Sequence, residues 1–193
     1  MLCTLIAAVV IGCLLPTTSV HAQSSASKEL NRLFDEQWDW LLANNPGIAT
    51  FVGDRRYNDR LGDQSAAAIL QRRTEASEYL RRAKAIDPAE LDATERVSRS
   101  VFIRNLTNNL EMQSFFGSLP LTSAHPITQR TGPQFGLPEM VRATRFTSVA
   151  DYEAYLKRLG SIPLFLDQTI EQLRVGANSG WTPPRGTLAD VPA

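Results

Sequence analysis

Beyond residue 22 the chain is organised by apolar positions that recur every three or four residues and by capping residues between them. Leu30, Phe34, Trp38 and Leu41 share one side of a segment that starts near Ser27 and ends at Asn44-Asn45-Pro46-Gly47. This spacing predicts a helix, capped by Ser27, with the stripe as its core face. Trp40 lies off the line, placed to meet a second layer. A polar connection punctuated by glycine, FVGDRRYNDRLGDQS, leads to Ser65, the expected N-cap of a second helix running to about Ala85. Asp92 with Glu95 three residues on is an acidic analogue of the capping box and announces a third helix. In it Phe102, Ile103, Leu106 and Leu110 fall on one side and Val97, Val101 and Met112 on the other, the pattern of a helix sandwiched between layers.

Ser148 and Asp151 form another capping-box signature, for a fourth helix in which Tyr152, Tyr155, Leu156 and Leu159 repeat at helical spacing. Gly160-Ser161 breaks it, and Pro163 opens a fifth whose Ile162, Leu166, Ile170 and Leu173 share a face before Gly176 closes it. No alternating run is long enough to be a strand. The expected fold class is all-α, about five helices with a long irregular apolar loop.

That loop, residues 114 to 147, is predicted to hold no regular element. Structureless connections beyond about 12–15 residues are uncommon inside compact domains. Phe115, Phe116, Leu119, Leu121, Ile127, Phe135, Leu137, Met140, Val141 and Phe146 also carry too much apolar surface for a solvated linker. The loop is expected to pack on something. Since the helices need their apolar faces for one another, a partner or a further part of the same chain is the expected surface.

The first 22 residues, MLCTLIAAVVIGCLLPTTSVHA, read differently. An apolar core from Leu2 to Leu15, Pro16, and small or aliphatic residues at Val20-His21-Ala22 predict an export signal cleaved after Ala22, although no Lys or Arg precedes the core. The core is shorter than the about 20 apolar residues a membrane span needs. The expected organisation is therefore a signal peptide, 1–22, and a helical region, 23–193, of an exported, periplasmic or secreted protein. Val10-Ile11-Gly12-Cys13 also resembles a lipoprotein processing box, an alternative that the apolar Leu14-Leu15 argues against. Both cysteines, Cys3 and Cys13, fall in this segment, so the mature chain has neither disulfide nor thiol chemistry, and His125 is its remaining histidine.

With 193 residues the chain suffices for one domain with an apolar core. Twenty basic residues balance twenty acidic ones, which removes the electrostatic footprint of a nucleic-acid binder. The pairs Arg55-Arg56, Arg72-Arg73 and Arg81-Arg82 read as solvated helix faces rather than an anion site. The mature sequence has no HExxH, CxxC, GxSxG or phosphate-loop pattern. Ser25-Ala26-Ser27-Lys28 has the SxxK spacing of serine acyl-enzymes and Arg130-Thr131-Gly132 faintly resembles their distal element, but no SDN-like element lies between.

Within the loop, His125, Gln129, Arg130 and Gly132 are the candidate substrate-cleft residues. His125 has the chemistry of a ligand or general base, yet a lone histidine without a recognisable carboxylate or thiol partner reads as structural. Gln129 and Arg130 can equally satisfy the backbone of a buried loop. Trp181, before TPPRG, reads as a packing anchor.

The order of segments is familiar. NPGIATFVGDRRYNDRLGDQS, HPITQRTGPQFGLP and SVADYEAYLKRLGSIPLFLDQTIEQLRVGANSGWTPPR together resemble the N-terminal part of domain-of-unknown-function family 885, bacterial exported proteins similar to helical zinc metallopeptidases. The segments around YLKRLGSIP and GWTPPR are the most specific. The resemblance implies a larger helical fold with an HExxH motif in its later part, where two histidines hold zinc and the Glu is general base. No catalytic or metal residue of the family falls on a position of this sequence. The expectation is an exported N-terminal fragment that forms one wall of a substrate cleft, lacks the metal centre and is inactive alone, with zinc belonging to the full-length family. Its expected partners are the missing catalytic portion, or a second copy of itself, and peptide. Nucleic acid and a stable membrane span are not expected. The alternative is a standalone periplasmic helical binding module.

Overall fold

The computed structural model of the chain describes residues 24–188. The expected export signal, the lipoprotein box at Cys13 and the boundary at residue 22 lie outside the described residues. The fold is all-α: among the described residues there are seven α-helices and two 3-10 helices, and no strand. The five anticipated helices are α1 (Ser25–Asn44), α3 (Ala66–Ala85), α4 (Ala93–Ser114), α6 (Val149–Gly160) and α7 (Ile162–Asn178). Two more appear, α2 (Pro46–Phe51) and α5 (Pro133–Ala143).

Local chemistry starts these helices where orphan N–H groups need acceptors. Ser65 Oγ accepts from the Ala68 amide, and both capping boxes, Asp92 with Glu95 and Ser148 with Asp151, are reciprocated. The first cap falls earlier than expected. Ser24, not Ser27, accepts the amide of Ser27 at 3.0 Å, while Ser27 is buried and donates its hydroxyl to Glu95 of α4.

The core sits where α1, α3 and α4 meet. Leu30, Leu33, Ala83, Ile86 and Leu91 are buried together, and Phe34 packs on Phe102 with ring centroids 5.0 Å apart. Trp40 reaches the second layer, its ring 5.6 Å from that of Tyr79 and its Nε1 donating to Glu75 at 2.5 Å. Two expected core faces are corrected. Trp38 is 47% exposed because the core side of α1 rotates onto Leu30, Leu33 and Leu42. The second side of α4 is uncovered, with Val97, Val101 and Met112 exposed, so α4 is not sandwiched.

The loop without regular structure is also corrected, since α5 lies inside it. Pro133 is tolerated in the first helical turn, and Gly132 supplies the φ of 132° from which the chain enters. Pro138, inside the helix, cannot donate to the carbonyl one turn back. Tertiary packing outweighs that loss, because α5 buries Met140 against α2, where a Cβ on Gly47 would lie 3.5 Å from the Met140 sulfur. Much of the remaining loop packs within the chain. Phe116 is buried with its ring 5.2 Å from Trp181, Leu121 is buried, and Phe146 stacks on Tyr152 at 4.6 Å. Arg73 of α3, read as a solvated residue, instead donates to the carbonyls of Gly117 (3.1 Å) and Leu121 (2.7 Å).

The largest departure is in α6 and α7, which are joined by the single helical-region residue Ser161. Both turn polar side chains inward: Asp151, Arg158, Thr169 and Gln172 are buried. Much of their expected core stripes faces out: Tyr152, Leu156, Leu159, Leu166 and Ile170 are exposed, while Tyr155, Ile162 and Leu173 are half-buried. The polar partners are distant in sequence. Arg158 donates to the carbonyls of Arg60 (3.0 Å) and Tyr57 (2.9 Å) and to Thr50 Oγ1 (2.9 Å), so α6 is fastened to the connection after α2.

Asp151 Oδ2 accepts from the backbone amides of Thr147 (2.9 Å) and Ser148 (2.8 Å) and from both hydroxyls, with Arg55 Nη1 3.3 Å from Oδ1. These donors, the Thr147 amide first, hold its carboxyl down to about 2 from an ordinary 3.8. The folded carboxylate therefore binds its proton less tightly than the unfolded one. Its stabilising contribution is complete above pH 3.8 and is lost as the pH falls through about 2. Thermal melts across this window are expected to fall more steeply for the native chain than for Asp151→Asn; equal slopes would contradict the assignment.

Candidate functional site

A cavity of about 380 Å³ lies between α5 and α7 under the loop that precedes α5. Its floor is built by helical spacing: Gly136, Leu137 and Met140 project from α5, and Phe165, Thr169 and Gln172 from one side of α7. The roof runs from Thr122 to Pro133 and includes His125, Pro126 and Gly132.

Side-chain hydrogen bonds hold the roof in place. Gln172 Oε1 accepts from the Thr122 hydroxyl at 2.9 Å, and its Nε2 donates to the Gln64 carbonyl at 3.3 Å. Gln168, one turn earlier, accepts the Gln64 amide at 2.8 Å and donates to Asp63 at 2.9 Å. At the other end Thr128 makes a tight local turn. Its Oγ1 accepts from the amides of Arg130 (3.1 Å) and Thr131 (3.0 Å), while Gln134 Nε2 donates to the Thr128 carbonyl at 2.9 Å. Gly132 then enters α5 with a positive φ, and a Cβ there would come within 2.4 Å of Gln134 Oε1. The positive φ is what requires glycine, since the Gln134 side chain could shift aside.

Of the four residues singled out in the sequence, His125 and Gly132 line the cavity and Gln129 and Arg130 do not. The Gln129 backbone amide donates to the Thr187 carbonyl at 3.0 Å, tying the roof to the end of the described chain, and its Oε1 is buried with no partner among the described residues. Arg130 is exposed. Ser25 and Lys28 lie in the first turn of α1 and are not brought to the cavity. Gln172, Thr169, Phe165 and Met140 escaped sequence reasoning. The available signal was faint: Thr169 and Gln172, uncharged polar residues three apart, align with Phe165 and Gly176 on one side of an amphipathic helix.

The lining has an apolar body, with no Asp, Glu, Lys or Arg, and a few polar groups. His125 Nδ1 is buried and has no partner within the described residues. No nucleophile or carboxylate bonds it, and the pairing that activates a hydrolytic base is not present in this arrangement. A zinc centre does not fit the cavity either. Such a site takes three or four nitrogen, sulfur or carboxylate ligands, whereas one imidazole stands here without another such donor. Among the described residues no group of three or more His, Cys, Asp or Glu is placed to hold a metal ion, and no helix is long and apolar enough to cross a membrane.

A family model described as a bacterial protein of unknown function (DUF885) matches residues 46–193, which include every residue that lines the cavity. No curated protein and no solved structure matches the chain.

Proposed function

The chain belongs to the DUF885 family, and from the resemblance of its segments to exported, zinc-metallopeptidase-like proteins we propose that it forms one wall of the substrate cleft of such a protein. In this reading the cavity under the loop before α5 receives an uncharged apolar side chain of a peptide. The outward apolar face of α6 and α7 docks on the helical portion that carries the metal centre. Hydrolysis and the zinc ion belong to that portion, and the chain alone is inactive.

The observation that carries the reading is the cavity itself. Its volume of about 380 Å³ and its walls of Leu137, Met140 and Phe165 leave room for an apolar side chain together with its adjoining peptide backbone. A second reading, a standalone helical binding module, is favoured by the loop's packing against its own chain, Phe116 on Trp181 in particular.

Gly136 provides the test, because it lines the cavity and a Cβ there meets nothing within 4 Å. Gly136→Phe is expected to fill the cavity without disturbing the fold. By calorimetry the native chain should bind the tripeptide Ala-Leu-Ala and discriminate against Ala-Glu-Ala. Losing one buried apolar side chain, about 1.5–3 kcal/mol, should weaken the variant's binding about tenfold or more. Equal affinity for the two peptides, or an unaffected variant with an unchanged melt, would defeat the proposal.

A further inference from the structure

A second concavity, about 520 Å³, runs between α1 and α4 on the opposite flank of α3's first turns, and its chemistry differs from that of the cavity described above. Its floor is apolar, formed by Phe102 and Leu106. Leu41 and Ile48 add apolar surface to its walls, which also carry a row of amides. Asn105, Asn109 and Gln113 follow one another along one face of α4, four residues and thus about 6 Å apart. Gln37 and Trp38 face them from α1.

These groups are largely uncommitted. The side chains of Gln37 and Asn105 bond no described residue, and Gln113 Nε2 donates to Asn109 Oδ1 at 2.5 Å, leaving the Asn109 NH2 and the Gln113 oxygen free. Trp38 occupies a position on the apolar stripe of α1, yet nearly half of it is exposed at the groove. Trp40 behind it is satisfied by Glu75. No carboxylate lines the groove, and its one cation, Arg72, already donates to the Asp63 carbonyl at 2.7 Å.

We infer that the groove between α1 and α4 binds an uncharged oligosaccharide. Each amide offers a donor and an acceptor together, which matches the paired hydroxyls of a sugar ring. The flat indole of Trp38 supplies an apolar platform with a polar edge, suited to the C–H face of a pyranose. A rise of one helical turn per amide is comparable to the repeat of a pyranose chain, so successive rings can meet successive amides. An apolar protein segment in the same groove would strip water from the amides without replacing their hydrogen bonds. An acidic ligand would find a single, already engaged arginine.

Titration of the full chain with cellotetraose and with triacetylchitotriose, followed by tryptophan fluorescence and calorimetry, tests this. Saturable binding of at least one of the two is expected, about tenfold or more weaker in Trp38→Ala and also weakened in the exposed double variant Asn105→Ala/Asn109→Ala, while Gly136→Phe leaves it intact. The last comparison separates this site from the peptide cavity, so either can fail without the other. Saturation by neither sugar, or affinities unchanged in Trp38→Ala, would overturn the inference. Should Trp38→Ala lower the melting temperature, the double variant alone decides, and unchanged affinity there overturns it equally.

Discussion

Arg158→Ala is expected to destabilise the chain by about 3 kcal/mol or more, because it removes a buried side chain that bonds four oxygens of distant residues at once. The side chain is 2% exposed and forks to the carbonyls of Arg60 and Tyr57, to Thr50 and to Asn58. Hydrogen bonds to a charged group are worth about 1.5–3 kcal/mol each, and truncation adds a cavity term. Burial pushes its guanidinium pKa below the ordinary value, and among the described residues no carboxylate pairs with it. Backbone and side-chain oxygens take that role. For a chain of this size the loss corresponds to a fall in Tm of roughly 6–12 °C. Arg158→Lys should be intermediate, since it keeps the charge but cannot present the planar fork. Chemical and thermal melts check the order Arg, Lys, Ala, and an alanine variant within about 1 kcal/mol of the native chain would refute the fastening role.

What was legible in the sequence was local. Ser65, Asp92 with Glu95, and Ser148 with Asp151 start helices as their side chains predict, because a cap acts on amides two or three residues away. The all-α class followed from the same periodicity. The direction of the stripes on α6 and α7 was not legible. Arg158 and Gln172 find their partners about a hundred residues earlier, at Arg60 and Gln64, and no spacing within the helices announces that. The helix α5 was hidden by Pro133 and Pro138, whose local cost is outweighed by packing on α2. His125 and Gly132, which line the cavity, were singled out because they stood in a segment too apolar for a linker. Gln129 and Arg130 shared that segment, but the turn at Thr128 directs the chain so that neither lines the cavity.

The double variant Leu156→Glu/Ile170→Glu is expected to keep the fold and lose the association surface. Both residues lie on the outward stripe, Leu156 at 66% and Ile170 at 43% exposure, flanked by exposed Tyr152 and Leu166. Glutamate is a good helix former, and substitutions at such surface positions normally stay within about 0.5 kcal/mol. In the native chain the same stripe should bind hydrophobic dyes and drive concentration-dependent assembly, because burying each such side chain yields about 1.5–3 kcal/mol. Removing two should weaken that association by about two orders of magnitude or more. The central claim is that α6 and α7 present their polar side to the chain and their apolar side outward. It is tested most directly by sedimentation equilibrium and thermal melting of the double variant beside the native chain. The account predicts a monomer with an unchanged Tm and little dye binding. A cooperative melt lost, or lowered by several kcal/mol, would mean that Leu156 and Ile170 are core residues after all.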